Sequence, residues 1–496
     1  MATIFFTSDL HSYIYPTDYI SKDDKDIGYA TLSALFSDDS IIIDGGDVLQ
    51  GSPLARYEMI KGFRPFFMAE AFNAAKLDIF VPGNHDFNFG PKVLKEFLDS
   101  LNADIVCANL CSEIDLGIKP YVIKETKDGL KLLITGLVTD YVNIWESKEN
   151  LKGLKITDSV KAAKRVLDKT SSQVFDYKIL IYHGGFGEEE GEIRENRGDE
   201  LSLLGFDILL TGHQHMRIDP VCKGTALVMQ AGTKGMLAAH IVLDKTGIIK
   251  SEILQNDKSL PLKKEMKALL ERREGEKRDI ALYLNSIVGH LSTPLEDKGK
   301  LESGVNGSSL ADLINKVQLD FVKTDVSACS LYNEPVCLKG DVSIGDLFSA
   351  YPFSNTLYKL EIDGAILKEA MERSASYFDL DERGNIIISD RFLVPKIEHY
   401  NYDYYYGVSY IYDISKPVGK RVTKLMLGDI DLLQSPDHRF TIALNSYRAT
   451  GTGGYEAYRR GIVLQSPKDE IQELLISSFE KGEIKDIHPS EYKVIK

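Results

Sequence analysis

The first 250 residues alternate short apolar runs with polar or glycine-rich turns and with segments of helical periodicity. Seven of the apolar runs are rich in β-branched residues and are predicted to be strands: 3–7, 41–43, 79–81, 132–138, 178–182, 208–210 and 226–230. Strands that alternate with helices are typical of a layered α/β fold. We therefore expect one α/β domain over residues 1–255.

The pattern changes between residues 256 and 290. Charged residues recur there on one face, and Met266, Leu269 and Leu270 lie beneath them. This spacing predicts a linker helix with a solvated side. After residue 290 the composition shifts toward Tyr, Asp and Gly with mixed strand and helix patterns, so we expect a second α/β domain over 291–496.

Composition and charge narrow the class of protein. A chain of 496 residues with 43% hydrophobic and 27% charged residues is typical of a globular protein with two or three domains. The net charge of −15 argues against a nucleic-acid polymer as partner, because phosphate backbones are bound by Lys and Arg. No apolar run approaches the ~20 residues that span a bilayer, so we expect no membrane association.

The start of the chain and its cysteines bear on the compartment. Residues 1–9 have no basic segment followed by a long apolar one, and they resemble a first strand more than a secretory signal. The five cysteines are sparse and form no Cys-x-x-Cys pair. We therefore expect a cytoplasmic, reducing location.

Metal-binding side chains follow five of the predicted strands. These residues are Asp9 and His11, Asp44 and Asp47, Asn84, His85 and Asp86, His183, and His213 and His215. In open α/β sheets ligands bind outside the carboxyl ends of the strands. A single histidine there is more often structural, but five of the ten histidines fall at these ends. The combined carboxylate, amide and imidazole donors suit two divalent cations without thiolates.

The order D-x-H, G-D-x-x-x-G, G-N-H-[DE], H-G-G and G-H-x-H resembles the calcineurin-like metallophosphoesterases. That resemblance implies a four-layer β-sandwich flanked by helices and two-metal hydrolysis of phosphoesters. It implies these ligand sets: Asp9, His11, Asp47 and His215 for one metal, and Asp47, Asn84, His183 and His213 for the other. Such mixed ligation permits Mn, Zn, Fe or Co. His85 is expected to face the substrate and to stabilise charge or protonate the leaving oxygen.

Further segments resemble the 5'-nucleotidase family. They are residues 46–54, 84–90, 351–356 and 445–454. This resemblance implies that the C-terminal domain is an α/β nucleotide-binding domain in which two aromatic rings clamp the base. The matching rings are Phe353 and Tyr447, although from the residues alone both are more simply interpreted as core side chains.

Two departures from that family's pattern bear on the substrate. Where its 5'-nucleotide hydrolases have an Asp that orients the catalytic histidine, this chain has Asn88. Where they have a glycine-rich segment with an arginine, this chain has the arginine-free stretch 327–332, although Arg448 could replace that arginine. Both departures resemble the 2',3'-cyclic-nucleotide 2'-phosphodiesterase/3'-nucleotidase branch. The tyrosine-rich stretch 400–413 does too, but a pair of aromatic strands also explains most of its tyrosines.

The resulting hypothesis is a metal-dependent hydrolase of nucleotide phosphoesters with 2',3'-cyclic-nucleotide phosphodiesterase and 3'-nucleotidase activity. Two alternatives remain open. One is a 5'-nucleotidase or a UDP-sugar-type pyrophosphate hydrolase that uses the same metals. The other is a nucleotide-binding or sensing protein with slow catalysis, and Asn88 is the feature that keeps it open. The expected partner is a nucleotide in each case.

Overall fold

The computed structural model describes residues 1–19, 23–62, 64, 66–187, 194–295, 298–334, 336–353, 355–394, 396–466, 469–482, 484 and 487–496. Over these residues the chain separates into two compact units, Met1–Ala281 and Leu282–Lys496. The division falls within the segment expected to be the linker, and the domain limits at 255 and 290 stay a prediction. Among the described helices, none is long and apolar enough to cross a bilayer.

The first unit combines many short strands with helices. Its strands are β1 Ala2–Thr7, β2 Ile41–Asp44, β3 Ile79–Phe80, β4 Asp104–Ile105, β5 Leu110–Ser112, β6 Tyr121–Glu125, β7 Lys131–Val138, β8 Leu154–Ile156, β9 Tyr177–His183, β10 Ile208–Thr211, β11 Arg217–Lys223, β12 Ala226–Ala231, β13 Leu237–Asp244 and β14 Gly247–Gln255. Its helices are α1 Tyr29–Leu32, α2 Pro53–Lys61, α3 Phe67–Ala74, α4 Gly90–Asp99, α5 Val142–Trp145, α6 Ser159–Thr170, α7 Gly198–Leu201 and α8 Lys264–Arg272.

These strands form two large sheets. Within the described chain one sheet has the order β14-β13-β1-β2-β3-β4 and the other has the order β11-β12-β10-β9-β7-β6. Strands β1 to β4 run parallel to one another, as do β7, β9, β10 and β12. All seven strands predicted from the sequence are present, and together with the short β4, which was not predicted, they make up the parallel part of both sheets.

Alternation along the strands explains the layers. In β9, Ile179 and Ile181 lie in the core between the two sheets, whereas Leu180 and Tyr182 pack in a second cluster that includes Val160 of α6. Successive side chains of a strand point to opposite faces, so one strand can serve both layers. In β1, Phe6 likewise joins the inter-sheet core, while Phe5 stacks outside it. The result is the expected four-layer arrangement.

The segment after β14 is not one linker helix. Residues 256–263 are not helical, α8 begins at Lys264 after Pro261, and α9 spans Glu274–Leu284. Proline disfavours helical backbone at the residue before it, so a helix is not expected to run through Leu260. The helices break at Arg273, whose guanidinium forms ion pairs with Glu70 and Glu276. Met266 and Leu269 are buried as predicted.

The second unit is also α/β. Its strands are β15 Ile287–Leu295, β16 Val326–Ser330, β17 Leu338–Ser343, β18 Leu357–Asp363, β19 Phe378–Leu380, β20 Ile386–Ile388, β21 Asp403–Tyr406, β22 Ser409–Asp413, β23 Val422–Leu427, β24 Ile430–Asp431, β25 Arg439–Asn445, β26 Ile462–Gln465 and β27 Glu491–Ile495. Its helices are α10 Lys300–Asn306, α11 Ser309–Val322, α12 Ile344–Ala350, α13 Gly364–Ala375, α14 Ser446–Ala449 and α15 Ile471–Glu480.

The tyrosine-rich stretch forms two strands that do not pair with each other. As far as the described residues go, β21 belongs to a sheet of order β21-β16-β25-β18-β26, and β22 belongs to one of order β24-β23-β22-β27. The prediction of an aromatic strand pair is therefore wrong in its pairing. Most of these tyrosines are buried in one hydrophobic cluster. The side chains of β21 and β22 therefore pack in the same core although the two strands belong to different sheets.

Candidate metal centre

The polar groups that follow the predicted strands converge at one edge of the two sheets. Asp9, Asp47 and Asn84 follow β1, β2 and β3 of the first sheet, while His183 ends β9 and His213 follows β10 of the second sheet. Main-chain hydrogen bonds of 2.8 Å from the N–H of Asp9 to Gly46 O, and from the N–H of His11 to Asp47 O, link the first two loops.

One group of donors consists of Asp9, His11 and His215, whose candidate ligand atoms all lie within 4.8 Å of one another. The Nε2 atoms of His11 and His215 are 3.0 Å apart, and His215 Nε2 is 3.4 Å from Asp9 Oδ1. Two imidazole nitrogens that face each other beside a carboxylate match the donor set of a divalent cation.

A second group consists of Asp47, His183 and His213, again with candidate ligand atoms within 4.8 Å of one another. His183 Nε2 lies 3.2 Å from Asp47 Oδ2 and 3.1 Å from Asn84 Oδ1. The structure therefore brings together the seven residues expected to bind metals. Their assignment to individual ions stays a prediction.

The other ring nitrogens of two of these histidines are fixed by main-chain carbonyls. His11 Nδ1 is 2.7 Å from Gln50 O, and His183 Nδ1 is 2.6 Å from Gly45 O. A hydrogen bond of this kind sets the tautomer and leaves Nε2 as the donor to a metal. The turns that supply the carbonyls contain glycines because a Cβ at Gly51 would lie 2.6 Å from His11 Nδ1.

Asp86 anchors the loop that carries Asp47. Its carboxylate accepts hydrogen bonds of 2.8–3.1 Å from the main-chain N–H groups of Asp47, Val48, Leu49 and Gly83. Burial, together with the nearby Asp47 carboxylate, raises the pKa of Asp86 to about 6. The motif contained Asp86, but sequence reasoning gave it no role because its partners come from another loop.

Electrostatics at the centre favour bound cations. Asp9 and Asp47 are fully buried, and the His183 imidazole lies 3.2 Å from Asp47 Oδ2. Burial alone would lower the pKa of His183, but the carboxylates of Asp47 and Asp9 outweigh burial and raise it to about 10. Two buried carboxylates are costly unless positive charge neutralises them, so the residues present fit the expected metals.

His85 begins a chain of hydrogen bonds that leads away from the metal ligands. The main-chain N–H of His85 donates to Asp47 Oδ1 over 2.7 Å, and its ring Nδ1 is 2.8 Å from Asn88 Oδ1. The amide of Asn88 donates to the carboxylate of Glu146, which Asn150 also holds at 2.8 Å. Burial raises the pKa of Glu146. Sequence reasoning missed Glu146, which is 58 residues from Asn88.

The two expected base-binding rings lie in the second unit and are half-buried, not in the closed core. The ring centroid of Phe353 lies 5.8 Å from that of Tyr332, 5.4 Å from Tyr351 and 6.4 Å from Tyr400, each in an edge-to-face arrangement. Tyr447 is the second residue of α14 and lies close enough to Tyr400 to affect its pKa, which is raised mainly by burial. An aromatic cluster of this kind offers faces for stacking.

Arg448 is buried and hydrogen-bonded inside the second unit. Its side chain is 1% exposed, and its Nε is 2.9 Å from both carboxylate oxygens of the buried Asp403. Its other nitrogens donate to Asn401 Oδ1, Tyr400 O and Thr452 O. In this structure Arg448 is therefore not placed to replace the missing arginine, because each of its three nitrogens donates to a partner within the second unit.

Comparison with protein families identifies both units. Residues 2–217 match the calcineurin-like phosphoesterase family, and residues 287–460 match the C-terminal domain of the 5'-nucleotidases. A Staphylococcus aureus protein described as a candidate 5'-nucleotidase has a solved structure with a TM-score of 0.88 and 28% identity, and the match covers 100% of both chains.

Two curated relatives are similar to this chain over most of its length. A 2',3'-cyclic-nucleotide 2'-phosphodiesterase/3'-nucleotidase of Salmonella typhimurium is 25% identical over 98% of this chain and 87% of its own length. The trifunctional nucleotide phosphoesterase protein YfkN of Bacillus subtilis is 24% identical over 91% of this chain, which spans 36% of that protein. With its calcineurin-like domain and its 5'-nucleotidase C-terminal domain, the chain belongs to the 5'-nucleotidase family of metal-dependent phosphoester hydrolases.

Proposed function

We propose that this chain hydrolyses nucleotide phosphoesters at a two-cation centre and prefers 2',3'-cyclic nucleotides and 3'-nucleotides to 5'-monophosphates. The observation that carries the proposal is the pair of donor groups at the strand ends, which contains the two buried carboxylates of Asp9 and Asp47. Buried carboxylates and imidazoles gathered in this way suit cations that bind a phosphate.

The chain's own residues have distinct tasks in this proposal. Asp9, His11 and His215 would hold one cation, Asn84, His183 and His213 would hold the other, and Asp47 would serve both. Divalent cations bound there supply positive charge for the phosphoryl oxygens and make water more acidic. The main-chain bonds to Gln50 O and Gly45 O keep the imidazoles in a fixed orientation before substrate arrives.

His85 is proposed to act on the leaving oxygen. Its Nδ1 is engaged by Asn88, so a proton that moves to or from the substrate would be carried at Nε2. Glu146 is an acceptor when ionised, so Asn88 turns its amide nitrogen toward Glu146 and its oxygen toward His85. An Asp at position 88 would place a negative charge directly beside His85. In this chain the negative charge belongs to Glu146, and the neutral Asn88 lies between Glu146 and His85.

The second unit is proposed to bind the nucleobase through Phe353 and Tyr447. Their half-buried rings support this assignment, because stacking needs an exposed face. Base–aromatic stacking is worth about 1–3 kcal/mol and tolerates every base.

The proposed preference for cyclic phosphates is based on the lack of an arginine in the stretch 327–332. A phosphomonoester dianion gains most from a bidentate guanidinium partner. The stretch 327–332 supplies none, and the salt bridge to Asp403 keeps Arg448 occupied. A cyclic phosphodiester carries a single negative charge and needs less cationic help, which supports the cyclic-nucleotide branch.

A substrate panel tests the proposal. The full-length protein with added Mn²⁺ is assayed for phosphate release and product identity with 2',3'-cyclic AMP, 3'-AMP, 5'-AMP and a UDP-sugar. We expect the highest kcat/KM with the cyclic or the 3'-nucleotide. The control variant His240→Ala alters a histidine of β13 that is not among the expected ligands, and it should retain activity.

Other outcomes separate the alternatives. The chain is similar to a candidate 5'-nucleotidase, so 5'-AMP is included in the panel. A tenfold preference for 5'-AMP would overturn the cyclic-nucleotide assignment and indicate a 5'-nucleotidase. Preferred cleavage of the UDP-sugar would indicate a pyrophosphate hydrolase. Tight nucleotide binding without turnover in Mn²⁺, Zn²⁺, Fe²⁺ or Co²⁺ would favour a sensing protein.

A further inference from the structure

A carboxylate outside the expected ligand set contacts one of the candidate metal ligands. Glu195 Oε1 lies 2.9 Å from His213 Nε2, and both side chains are largely shielded from solvent. The ring of Trp145 lies beside the same imidazole, at a centroid distance of 5.3 Å. His213 is thus held on one side by a charged acceptor and on another by an aromatic ring.

The main chain of Glu195 is fixed by side chains of the second sheet and of the loop that follows it. Its carbonyl oxygen accepts hydrogen bonds from Thr139 Oγ1 at 2.7 Å and from Tyr182 OH at 3.3 Å. Two residues later, Arg197 forms ion pairs of 2.9–3.0 Å with Asp140 and Asp158. The carboxylate therefore comes from an anchored segment.

The acceptor of His213 differs in charge from the acceptors of His11 and His183. His11 and His183 each bond a neutral main-chain carbonyl through Nδ1, whereas His213 bonds a carboxylate through Nε2. When Nε2 carries the proton that Glu195 accepts, the lone pair of the imidazole is at Nδ1. A carboxylate acceptor makes that lone pair more basic than a carbonyl does.

We propose that Glu195 is a positioning residue for the second cation. It fixes His213 as the tautomer protonated at Nε2, and it strengthens Nδ1 as a donor within the group formed with Asp47 and His183. The proposal rests on the two-cation centre of the proposed function. It concerns one of the two sites, because Glu195 contacts His213, which belongs to the group with Asp47 and His183.

Metal binding to the metal-free full-length protein tests this role. Mn²⁺ is titrated by calorimetry into wild type, Glu195→Ala, Glu195→Gln and the matched control Glu252→Ala. Glu252 also bonds a histidine, His240, at 2.9 Å, but this pair lies on β13 and β14. We expect wild type and Glu252→Ala each to bind two ions, and the affinity for each ion should be the same in the two proteins. We expect Glu195→Ala to bind the second ion about 10–100-fold more weakly, which is the usual effect of losing such a partner.

Glu195→Gln separates charge from geometry, because an amide oxygen can still accept from Nε2. An intermediate affinity for the second ion supports the proposal, and so does unchanged affinity for the first. Equal affinities in wild type and Glu195→Ala would overturn it and leave the nucleotidase proposal standing. Weakening of both ions together with a lower Tm would show a merely structural role. A wild-type protein that binds no pair of ions would overturn the proposed function itself.

Discussion

Five of the expected metal ligands have a left-handed main-chain conformation. The φ angles are 56° at Asp9, 48° at His11, 61° at Asp47, 71° at His213 and 55° at His215. Such a conformation costs about 1–3 kcal/mol for a residue with a Cβ, so it persists only where surrounding contacts enforce it. Here the strained main chain turns five side chains toward the candidate metal centre. The fold loses some stability, and the potential metal ligands are brought close together.

Substitution of Asp47 separates its chemical role from its conformational cost. Asp47→Ala and Asp47→Gly should both lower kcat/KM by at least ~10³-fold and lose bound metal, because the carboxylate shared by two cations is gone. Metal-free Asp47→Gly should be about 1 kcal/mol more stable than Asp47→Ala toward urea, since glycine adopts a φ of 61° without strain. Retention of both metals and near-normal turnover would remove Asp47 from the shared position.

Glu146 should matter most for poor leaving groups. Glu146→Ala removes the charge behind Asn88 and His85, so we expect about 10-fold or greater loss of kcat with 3'-AMP. Hydrolysis of p-nitrophenyl phosphate should change much less, because p-nitrophenolate leaves without a proton. Glu149→Ala, which alters an exposed residue of the same segment, serves as control. Equal losses with both substrates would mean that Glu146 only maintains the fold.

At the scale of elements, strand ends and helix starts carry the candidate functional residues. The metal ligands follow the parallel strands β1, β2, β3, β9 and β10. In the second unit, Phe353 follows α12 and Tyr447 lies in the first turn of α14. Side chains at such junctions are fixed by the elements behind them and still reach solvent, which is why binding residues concentrate there.

Removal of one ring tests the aromatic site. Phe353→Ala or Tyr447→Ala should raise KM for nucleotides by about 5–100-fold, the equivalent of 1–3 kcal/mol of lost stacking. Turnover of p-nitrophenyl phosphate should stay the same, because that substrate has no base. Phe321→Ala removes an exposed phenylalanine of α11 in the same unit and should leave both unchanged. If both substrates suffer equally, the two rings are structural.

The Arg448–Asp403 pair ties α14 to β21 and should be structural. Arg448→Ala leaves the buried Asp403 carboxylate unpaired, so we expect the free energy of unfolding to fall by about 3–5 kcal/mol. The double variant Arg448→Leu/Asp403→Leu should recover a large part of this loss, since no charge then stays buried. Urea unfolding measures both. A stable Arg448→Ala protein with impaired phosphate binding would instead make Arg448 a ligand of the substrate.

At the scale of the whole molecule, local spacing explains which features could be predicted. Short apolar runs predicted seven of the parallel strands, and motifs singled out the seven residues that converge at the strand ends, because both signals lie within a few residues of chain. The pairing of β13 with β1 and the proposed roles of Glu146 and Glu195 depend on partners far away in sequence. Local patterns carry no information on such pairings, and the half-exposed β14 has no clean alternation.

A buried carboxyl should make the stability of the fold depend on pH. Burial raises the pKa of Glu58 on α2 to about 8, although its carboxylate accepts a 2.8 Å bond from the N–H of Phe67. The unfolded carboxyl loses its proton near the ordinary value of about 4.5, whereas the folded one keeps it until pH 8. The folded state therefore binds more protons in this window, and this group lowers stability as pH rises.

Glu58→Gln should remove that dependence. Relative to wild type, the variant should gain stability between pH 4.5 and 8 by up to about 1.4 kcal/mol per pH unit, with no further gain at higher pH. Chemical unfolding at a series of pH values measures the difference. Glu265→Gln, at an exposed position of α8, should give a flat difference. A flat profile for Glu58→Gln would show that the buried carboxyl titrates normally.

The central position of β1 has a consequence for synthesis of the protein. Strand β1 lies between β2 and β13, and Ala2 pairs with Leu243. A ribosome adds about 5–20 residues per second, so the nascent β1 lacks one neighbour for more than about 10 seconds. Until then its open edge can pair with other chains, as unpaired strand edges do. The edge of β1 that β13 later covers is therefore exposed early in translation, well before the histidines that follow β10 are made.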